Sequence, residues 1–227
     1  IEIIKVEDKM KNIIFIAPPA AGKGTQSKLV NETYNIPHIS TGDLLREEIS
    51  KQTPLGVSIQ ADMEKGNLVS DEVITTLLKN RITKPDCKNG YILDGYPRNI
   101  EQAKTYQNLL EELNYDKSCV IFLDIDKDLA LKRTISRIVC PNCGSSYNLL
   151  VEDLKPQKEN ICDRCHHELK SRKDDTEEVF LHRFDTYLNS TKEVIDYYKE
   201  LGMLHKIEVG EKSANEIFDE IKKVLND

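Results

Sequence analysis

The sequence predicts an α/β fold in which helices cover both faces of a parallel sheet. Short apolar segments that end at a turn or a charge alternate with amphipathic helical patterns along the chain, and this alternation is typical of parallel sheets. A loop with glycine and lysine follows the first apolar segment, and four paired cysteines interrupt the pattern later. A chain of 227 residues is long for one compact domain and short for two, so we expect one domain that carries inserts.

Five segments are candidate strands, and four of them are short, nearly continuous apolar runs of the kind that is buried in parallel sheets. These four are residues 12–17, 91–95, 119–125 and 204–209. Residues 37–41, with the sequence PHIST, form a weaker fifth candidate. We therefore expect a five-stranded parallel sheet.

Amphipathic segments at 70–82, 126–138 and 174–201 are expected to form helices between the strands. In the first of them, Ser70 or Asp71 is placed to cap the helix, and acidic residues follow in its first turn. These segments complete the alternation that predicts the fold class.

Two segments depart from this alternation. Residues 42–69 contain a helical pattern but no convincing strand, and residues 139–173 are rich in turns and show no strong helical period. We expect both to be inserts, the second of them as a small domain of its own.

The composition is that of a globular protein with an acidic balance. Hydrophobic residues make up 39% and charged residues 31% of the chain, and the net charge of −7 argues against a general affinity for nucleic acid. No segment has the length of a membrane span, and the first ten residues are too short and acidic for a secretory signal. We expect a cytoplasmic protein. The first residue is not methionine, so an organelle is the alternative if a targeting segment was removed.

Residues 13–29, IIFIAPPAAGKGTQSKL, contain an imperfect phosphate-binding loop. The usual motif has a glycine, four residues, and then Gly-Lys and a hydroxyl, but Ala17 stands at the first glycine and Gly24 separates Lys23 from Thr25. The loop follows an apolar strand and opens a helix, where backbone N–H groups face an anion. The lysine would add positive charge, and the hydroxyl suits magnesium or phosphate. The alternative is a plain turn between strand and helix.

A second motif is YILDGYPR, at residues 91–98. Asp94 ends a buried strand, where α/β sheets bind ligands, and a carboxylate there can hold Mg²⁺ through water. Gly95 permits close approach of the backbone, and Arg98 offers a fork for phosphate. If the helix includes both, Gln102 shares a face with this arginine and could recognise a base edge. The alternative is a helix cap followed by a surface arginine.

Four arginines could neutralise the charge of a transferred phosphoryl group. Arg133 and Arg137 lie one turn apart on a predicted helix, so both should point to one side. Arg172 and Arg183 are close to three helical turns apart and would share a face if their helix begins early enough. The alternative for each is a solvated side chain on a charged helix.

The four paired cysteines have the spacing C-x2-C-x18-C-x2-C. Four thiolates at such spacing form a closed, structural zinc site. The predicted ligands are Cys140, Cys143, Cys162 and Cys165. His166 or His167 could replace a cysteine, and two disulfides are the other alternative, which a reducing compartment disfavours.

Together these motifs resemble the adenylate kinase family in its long-lid form, whose lid carries zinc. The resemblance extends from about Lys11 to the end of the chain. It rests on six motifs in order: PPAAGKGTQ (18–26), STGDLLR (40–46), GNLVSD (66–71), GYPRNIEQA (95–103), the four-cysteine segment and RKDD (172–175).

The resemblance implies a nucleoside monophosphate kinase that transfers a phosphoryl group directly and in line from Mg-ATP to AMP, giving two ADP as a lid closes. Mg²⁺ and structural Zn²⁺ would be its cofactors, and we expect a monomer that binds neither nucleic acid nor membranes. The implied domains are a phosphate-loop core (1–39, 70–135 and 176–227, with 1–10 as an N-terminal extension), an AMP-binding segment (40–69) and a zinc-binding lid (136–175).

The resemblance also assigns roles to residues. Its catalytic charges are Lys23, Arg98, Arg133, Arg137, Arg172 and Arg183. Its ATP-binding residues are Ala20, Ala21, Gly22, Lys23, Gly24, Thr25, Arg133, Arg137, Ser146, Tyr147 and Lys212. Its AMP-binding residues are Thr41, Arg46, Asn67, Leu68, Val69, Gly95, Tyr96, Pro97, Arg98, Gln102, Arg172 and Arg183. The last two of these resemble arginines of the family that contact the phosphates of both nucleotides.

Two alanines depart from the family pattern, which usually has glycine at positions 17 and 20. An alanine at position 20 is costly if the backbone there needs a positive φ. Three rival functions stay open: a GTP:AMP phosphotransferase of the same fold, a zinc-ribbon nucleic-acid binder, and an inactive relative that senses nucleotides.

Overall fold

The fold is that of a computed structural model, which describes residues 11–64, 69–172 and 175–226. Three predicted features lie wholly or partly outside the described residues. They are the N-terminal extension at 1–10, Asn67 and Leu68 of the AMP-binding segment, and Lys173 and Asp174 of the RKDD motif.

The strands of the described residues are β1 (Lys11–Ile16), β2 (His38–Ser40), β3 (Gly90–Asp94), β4 (Cys119–Asp124), β5 (Arg137–Val139), β6 (Ser146–Asn148) and β7 (Leu204–Glu208). The predicted five-stranded parallel sheet is confirmed, with strand order β2-β3-β1-β4-β7. The antiparallel pair of β5 and β6 forms a separate small sheet within the predicted lid. All five segments predicted as strands of the main sheet are therefore strands.

Helices occupy most of the chain between the strands. They are α1 (Lys23–Tyr34), α2 (Thr41–Ser50), α3 (Pro54–Glu64), α4 (Asp71–Ile82), α5 (Ile100–Glu112), α6 (Lys127–Ile135), α7 (Glu177–Glu200) and α8 (Ala214–Asn226). Ser70 caps α4, as predicted, because its hydroxyl accepts a hydrogen bond from the Val73 N–H. Among the described residues, no helix is long and apolar enough to cross a membrane.

The prediction of one helix over 126–138 is wrong at its end. The helix α6 ends at Ile135, and Arg137 lies in β5, so Arg133 and Arg137 do not share a helix face. Pairing explains the change, because Val139 exchanges two backbone hydrogen bonds with Lys170 and Ile138 is buried beside two of the cysteines. Burial of this side chain favours the strand over one more turn of exposed helix.

Two other helical placements also differ from the sequence expectation. The helix α7 begins at Glu177, so Arg172 lies before it and does not share a helix face with Arg183. The helix α5 begins at Ile100, so Arg98 lies outside the helix that contains Gln102. Arg98 and Arg172 therefore lie before α5 and α7, and Arg183 lies within α7.

The chain divides into two compact units, which are described separately. The first comprises the described residues of Ile1–Ile16, Ser27–Ile121 and Glu193–His205. The second comprises the described residues of Ala17–Gln26, Phe122–Lys192 and Lys206–Asp227. The domain boundaries that the resemblance implies stay a prediction.

The parallel register of β3 with its two neighbours organises the first unit. Asp94, the last residue of β3, is opposite Phe15 of β1 and Ser40 of β2. Side chains of these strands are buried on both faces, and Ile13, Ile92 and several of their neighbours are almost fully buried. Burial on both faces explains why the sequences of β1 and β3 are continuous apolar runs without polar alternation.

Three buried hydroxyls form a hydrogen-bonded chain in the core of the first unit. The Tyr106 hydroxyl lies 2.9 Å from the Tyr91 hydroxyl and 2.8 Å from the Ser118 hydroxyl. Burial raises the pKa of Tyr106 well above its usual range, so the phenol is neutral. The chain connects β3, α5 and the segment before β4, and each hydroxyl has its partner inside the core.

We expect Tyr106→Phe to lower the free energy of unfolding by about 1–3 kcal/mol, because it leaves two buried hydroxyls without their common partner. Tyr91→Phe removes one hydroxyl at the end of the chain and keeps the bond between Tyr106 and Ser118, so its effect should be smaller. Urea denaturation of both variants measures the difference. Equal losses in the two variants would contradict the shared role of Tyr106.

Candidate functional site

The loop between β1 and α1 combines two positive φ angles with the start of a helix. Ala20 and Gly22 both have positive φ angles, of 62° and 89°. The Gly22 carbonyl accepts a hydrogen bond from the Gln26 N–H at 3.0 Å and so begins the helix, whose first residue is Lys23. The first turn of an α-helix leaves backbone N–H groups without helical partners, and these groups attract anions.

The two glycines of the loop leave room for a ligand. A Cβ atom added at Gly22 or Gly24 would meet no other atom within 4 Å. The glycine at position 22 is also required by its backbone, since φ is 89° there. An open loop at the start of a helix fits phosphate groups that approach the backbone closely.

Two arginines of the second unit have partners of their own. Arg133 on α6 is buried and donates to the Gly210 carbonyl at 3.0 Å, and burial lowers its pKa. Its Nε atom is also buried, with no hydrogen-bond partner among the described residues. Arg137 on β5 forms a two-bond ion pair with Asp175, one of these bonds being 2.8 Å from Nε to Oδ2. The structure thus places these arginines on different elements, with different partners.

The remaining residues that were predicted to bind the triphosphate are less buried. Arg172 and Arg183 are exposed, and Lys212 forms an ion pair of 2.6 Å with Glu220. Lys212 belongs to the turn between β7 and α8, in which its N–H donates to the Val209 carbonyl at 3.1 Å. The Gly210 carbonyl of this same turn is the one that Arg133 contacts.

In the first unit, the carbonyl of Gly95 accepts hydrogen bonds from two of the residues that were predicted to bind AMP. It accepts from the Thr41 hydroxyl at 3.2 Å and from Nε of Arg98 at 2.8 Å. Gly95 has a φ of 77°, and a Cβ atom there would lie 3.3 Å from atoms of both side chains. Glycine is therefore required by its backbone angle and by the close contacts.

Gln102 is buried, and its side-chain amide is bonded at both ends. Its Oε1 accepts from the Arg98 backbone N–H at 2.8 Å, and its Nε2 donates to Oδ1 of Asp71 at 2.6 Å. Asn99 caps α5 by accepting from the Gln102 N–H, and the Tyr96 hydroxyl donates to the Gln102 carbonyl. The preceding Tyr96–Pro97 peptide bond is cis. The sequence predicted Asp71 only as a helix cap, because no spacing rule links residues 31 positions apart.

Asp94, the predicted magnesium carboxylate, contacts a histidine that the sequence reasoning missed. Oδ2 of Asp94 lies 3.2 Å from Nε2 of His38 on the adjacent strand β2. Pairing of β2 with β3 brings the two residues together. The histidine of the predicted strand PHIST was therefore the one signal in the sequence for this contact.

Two other residues that were predicted to bind AMP lie elsewhere in the first unit. Arg46 forms an ion pair with Asp43 on the exposed side of α2, and Val69 is half-buried before α4.

The four paired cysteines converge in the second unit. Their sulfur atoms all lie within 4.8 Å of one another. In the first pair, the Gly144 N–H donates to the Cys140 carbonyl, and in the second the His166 N–H donates to the Cys162 carbonyl. Gly144 and His166 both have positive φ, 72° and 59°, so the two turns are alike. This similarity explains His166 as a turn residue, and neither predicted alternative histidine belongs to the group of ligand atoms.

The sulfur distances exclude disulfides in this structure and suit a metal. The Sγ atoms of Cys140 and Cys165 are 3.3 Å apart and those of Cys143 and Cys162 are 3.5 Å apart, whereas a disulfide bond is about 2.05 Å long. Sulfur ligands about 2.3 Å from a tetrahedral zinc ion lie about 3.8 Å from one another. All six cysteines of the chain are free thiols.

Tyr147 contacts this cluster. Its hydroxyl lies 3.4 Å from Sγ of Cys162 and accepts from the Asp163 N–H at 2.8 Å. Burial favours the neutral Cys162 thiol, but hydrogen bonds from this hydroxyl and from backbone N–H groups outweigh it and lower the pKa to about 5. Tyr147 therefore supports the cysteine cluster, whereas the neighbouring Ser146 is exposed.

Comparison with known proteins identifies the family. The family model described as adenylate kinase matches residues 15–203. The adenylate kinase of Clostridium tetani is 43% identical over 214 residues, which cover 94% of this chain and 98% of that protein. The chain belongs to the adenylate kinase family.

Two further adenylate kinases show how widely this similarity extends. That of Archaeoglobus fulgidus is 43% identical and covers 94% of this chain and 97% of its own length. That of Thermosipho melanesiensis is 41% identical, with coverages of 95% and 98%. Since adenylate kinases are nucleoside monophosphate kinases, the chain is a phosphotransferase.

The backbone of Ala20 is strained, because a non-glycine residue here has a positive φ angle. Its φ of 62° is the left-handed conformation, which costs an L-residue about 1–2 kcal/mol more than glycine. We expect Ala20→Gly to raise the free energy of unfolding by up to about 1 kcal/mol, after the added entropy of the unfolded chain is subtracted.

Ala21→Gly is the matched control. Ala21 is buried and is not among the residues with positive φ, so this change should lower the free energy of unfolding by about 1 kcal/mol. Thermal and urea unfolding of both variants test the difference. Two variants that change stability in the same direction would contradict the assignment of strain to position 20.

Proposed function

We propose that the protein catalyses the reversible transfer of a phosphoryl group from Mg-ATP to AMP, giving two ADP. The observation that carries this proposal is the loop of an adenylate kinase family chain in which Lys23 opens α1 directly after the positive-φ Gly22. Such a loop supplies backbone N–H groups and a lysine to the phosphates of a nucleotide.

The residues proposed for ATP belong to the second unit. The loop from Ala20 to Thr25 would hold the phosphates, and Arg133 has a buried Nε that still lacks a partner within the described chain. A buried donor of this kind favours an additional acceptor. Arg137, Arg172 and Arg183 complete the set of proposed phosphate-binding cations.

Apart from Arg172 and Arg183, the residues proposed for AMP belong to the first unit. The shared carbonyl of Gly95 holds Thr41 and Arg98 in place, and the oriented amide of Gln102 would recognise the base. The contacts expected from Asn67 and Leu68 lie outside the described residues. Asp94 would hold Mg²⁺ through water, and this ion would supply positive charge to the phosphate oxygens.

The proposed transfer is direct and needs no covalent enzyme intermediate. An oxygen of the AMP phosphate forms a bond to the γ-phosphorus as the bond from this phosphorus to the β-γ bridging oxygen breaks. ADP then leaves with that oxygen. The protein would orient both nucleotides and neutralise charge, and closure of the predicted lid would exclude water.

We expect Lys23→Ala to lower kcat by about two orders of magnitude or more while the fold stays intact, because the loop loses its positive charge beside the transferred phosphoryl group. Lys28→Ala on the exposed face of α1 is the matched control and should keep near-normal activity. A coupled assay of ADP formation from ATP and AMP measures both.

The assay also separates the rival functions. Near-normal activity of Lys23→Ala would contradict the proposed role of the loop, and binding of ATP without ADP formation by the unmodified protein would favour an inactive nucleotide sensor. A panel of triphosphates separates ATP from GTP as the donor. Binding of RNA or DNA at low salt would favour the nucleic-acid alternative.

We also propose that the four-cysteine cluster holds one structural Zn²⁺ ion. The sulfur positions fit tetrahedral zinc, and backbone N–H groups of the two similar turns donate to the Cys140 and Cys162 sulfur atoms. Four thiolate ligands close the coordination shell, so the ion would stabilise the lid and leave the chemistry to other residues.

Metal analysis should find about one zinc per chain. Removal of the zinc by a chelator should lower Tm by about 5 °C or more. Several kcal/mol of binding free energy are then lost, and each kcal/mol shifts Tm by about 2–4 °C. Cys162→Ser should lose the zinc, whereas Cys119→Ser on β4 should keep it. Zinc retained at normal stoichiometry in Cys162→Ser would contradict this site.

A further inference from the structure

The amide of Gln102 can adopt only one of its two orientations in this structure. A glutamine amide presents oxygen at one end and NH₂ at the other, and the two ends have nearly the same shape. Here the Arg98 backbone N–H, which can only donate, meets Oε1 at 2.8 Å. The Asp71 carboxylate, which can only accept, meets Nε2 at 2.6 Å. A flipped amide would place donor against donor and acceptor against acceptor.

The carboxylate of Asp71 is itself held in position. Asp71 is the first residue of α4, directly after the capping Ser70. Its Oδ1 accepts from Gln102, and its Oδ2 lies 3.4 Å from Nδ2 of Asn99, the residue that caps α5. One carboxylate thus connects the beginnings of two helices. Asp71 is exposed, whereas Gln102 is only 4% exposed. The exposed carboxylate therefore reaches inward to a buried amide.

The fixed amide can discriminate between purine bases. After its two internal bonds, Gln102 retains one N–H donor and one lone pair on Oε1. Adenine offers an acceptor at N1 and a donor at its 6-amino group. Hypoxanthine and guanine offer the reverse, a donor at N1 and an acceptor at O6. When N1 of the base lies against Nε2 and its 6-substituent lies against Oε1, the orientation seen here complements adenine, whereas a flipped amide would complement the other two bases.

We propose that Asp71 is a positioning residue that sets the base specificity of the acceptor site by holding the Gln102 amide in the orientation that recognises adenine. This inference rests on the proposed function, because it takes AMP as the acceptor. Asp71 does not touch the nucleotide. Its carboxylate makes the flipped amide of Gln102 unfavourable. This should weaken the binding of hypoxanthine or guanine and strengthen the binding of adenine.

The test compares Asp71→Ala with Glu72→Ala as acceptor-specificity variants. Both changes remove an acid from the first turn of α4, so their effects on the helix dipole are matched. Of the two side chains, that of Asp71 is the one that accepts a hydrogen bond from Gln102. We would measure kcat/KM with AMP and with IMP at saturating Mg-ATP, using IMP also as a competitive inhibitor. The ratio of the two values is independent of the fraction of active enzyme, so partial unfolding of a variant does not affect it.

We expect the ratio for AMP over IMP to fall about tenfold in Asp71→Ala, because one charge-assisted hydrogen bond no longer opposes the flip. It should stay within about twofold in Glu72→Ala. Asp71→Asn keeps one acceptor oxygen for two donors and should show a smaller fall in the same direction. An unchanged ratio in Asp71→Ala, or equal falls in both alanine variants, would overturn the inference. The proposed function fails separately, if the unmodified protein forms no ADP from ATP and AMP.

Discussion

The hydrogen-bonded register of β3 is the constraint on which the acceptor side of this molecule depends. Because Asp94 is paired with Ser40, the chain leaves β2 and β3 at the same edge of the sheet, and the next residues on each side are Thr41 and Gly95. The Gly95 carbonyl then takes bonds from Thr41 and Arg98. A one-residue slip of β2 against β3 would turn the side chains of β2 to the opposite face of the sheet and separate these groups.

Much of this arrangement was predictable from the sequence, because its signals are local. Continuous apolar runs predicted the five strands, the spacing of cysteines predicted the cluster, and a serine before acids predicted the cap of α4. Each of these signals lies within a few residues of the structure that it predicts. Conditions on the backbone were also predictable, since an alanine at position 20 was expected to be costly if φ were positive, and φ is 62°.

The wrong or missing predictions have a common physical cause. Contacts between residues far apart in the sequence either changed the secondary structure that local periodicity predicts or left no local signal. Arg137 follows a helical pattern, but pairing with β6 and burial of Ile138 make its segment a strand. Its partner Asp175 is 38 residues away, and Asp71 is 31 residues from Gln102. Such partners leave no trace in local spacing, so a single sequence identifies the charges of a site more readily than the groups that orient them.

The structure therefore shows how the charged side chains are oriented, which the sequence alone does not. An acidic chain with a net charge of −7 can bind polyanionic nucleotides only where cations are placed locally. Two of the cations proposed for this role are held by a carbonyl or an acid, namely Arg133 and Arg137. The Asp175 carboxylate, whose side chain is 1% exposed, restrains the Arg137 guanidinium and offsets its positive charge. A restrained cation loses less conformational entropy when phosphate arrives, which compensates in part for the charge that its acidic partner cancels. In the proposed reaction, acids such as Asp175 would therefore act by positioning the cations that bind phosphate.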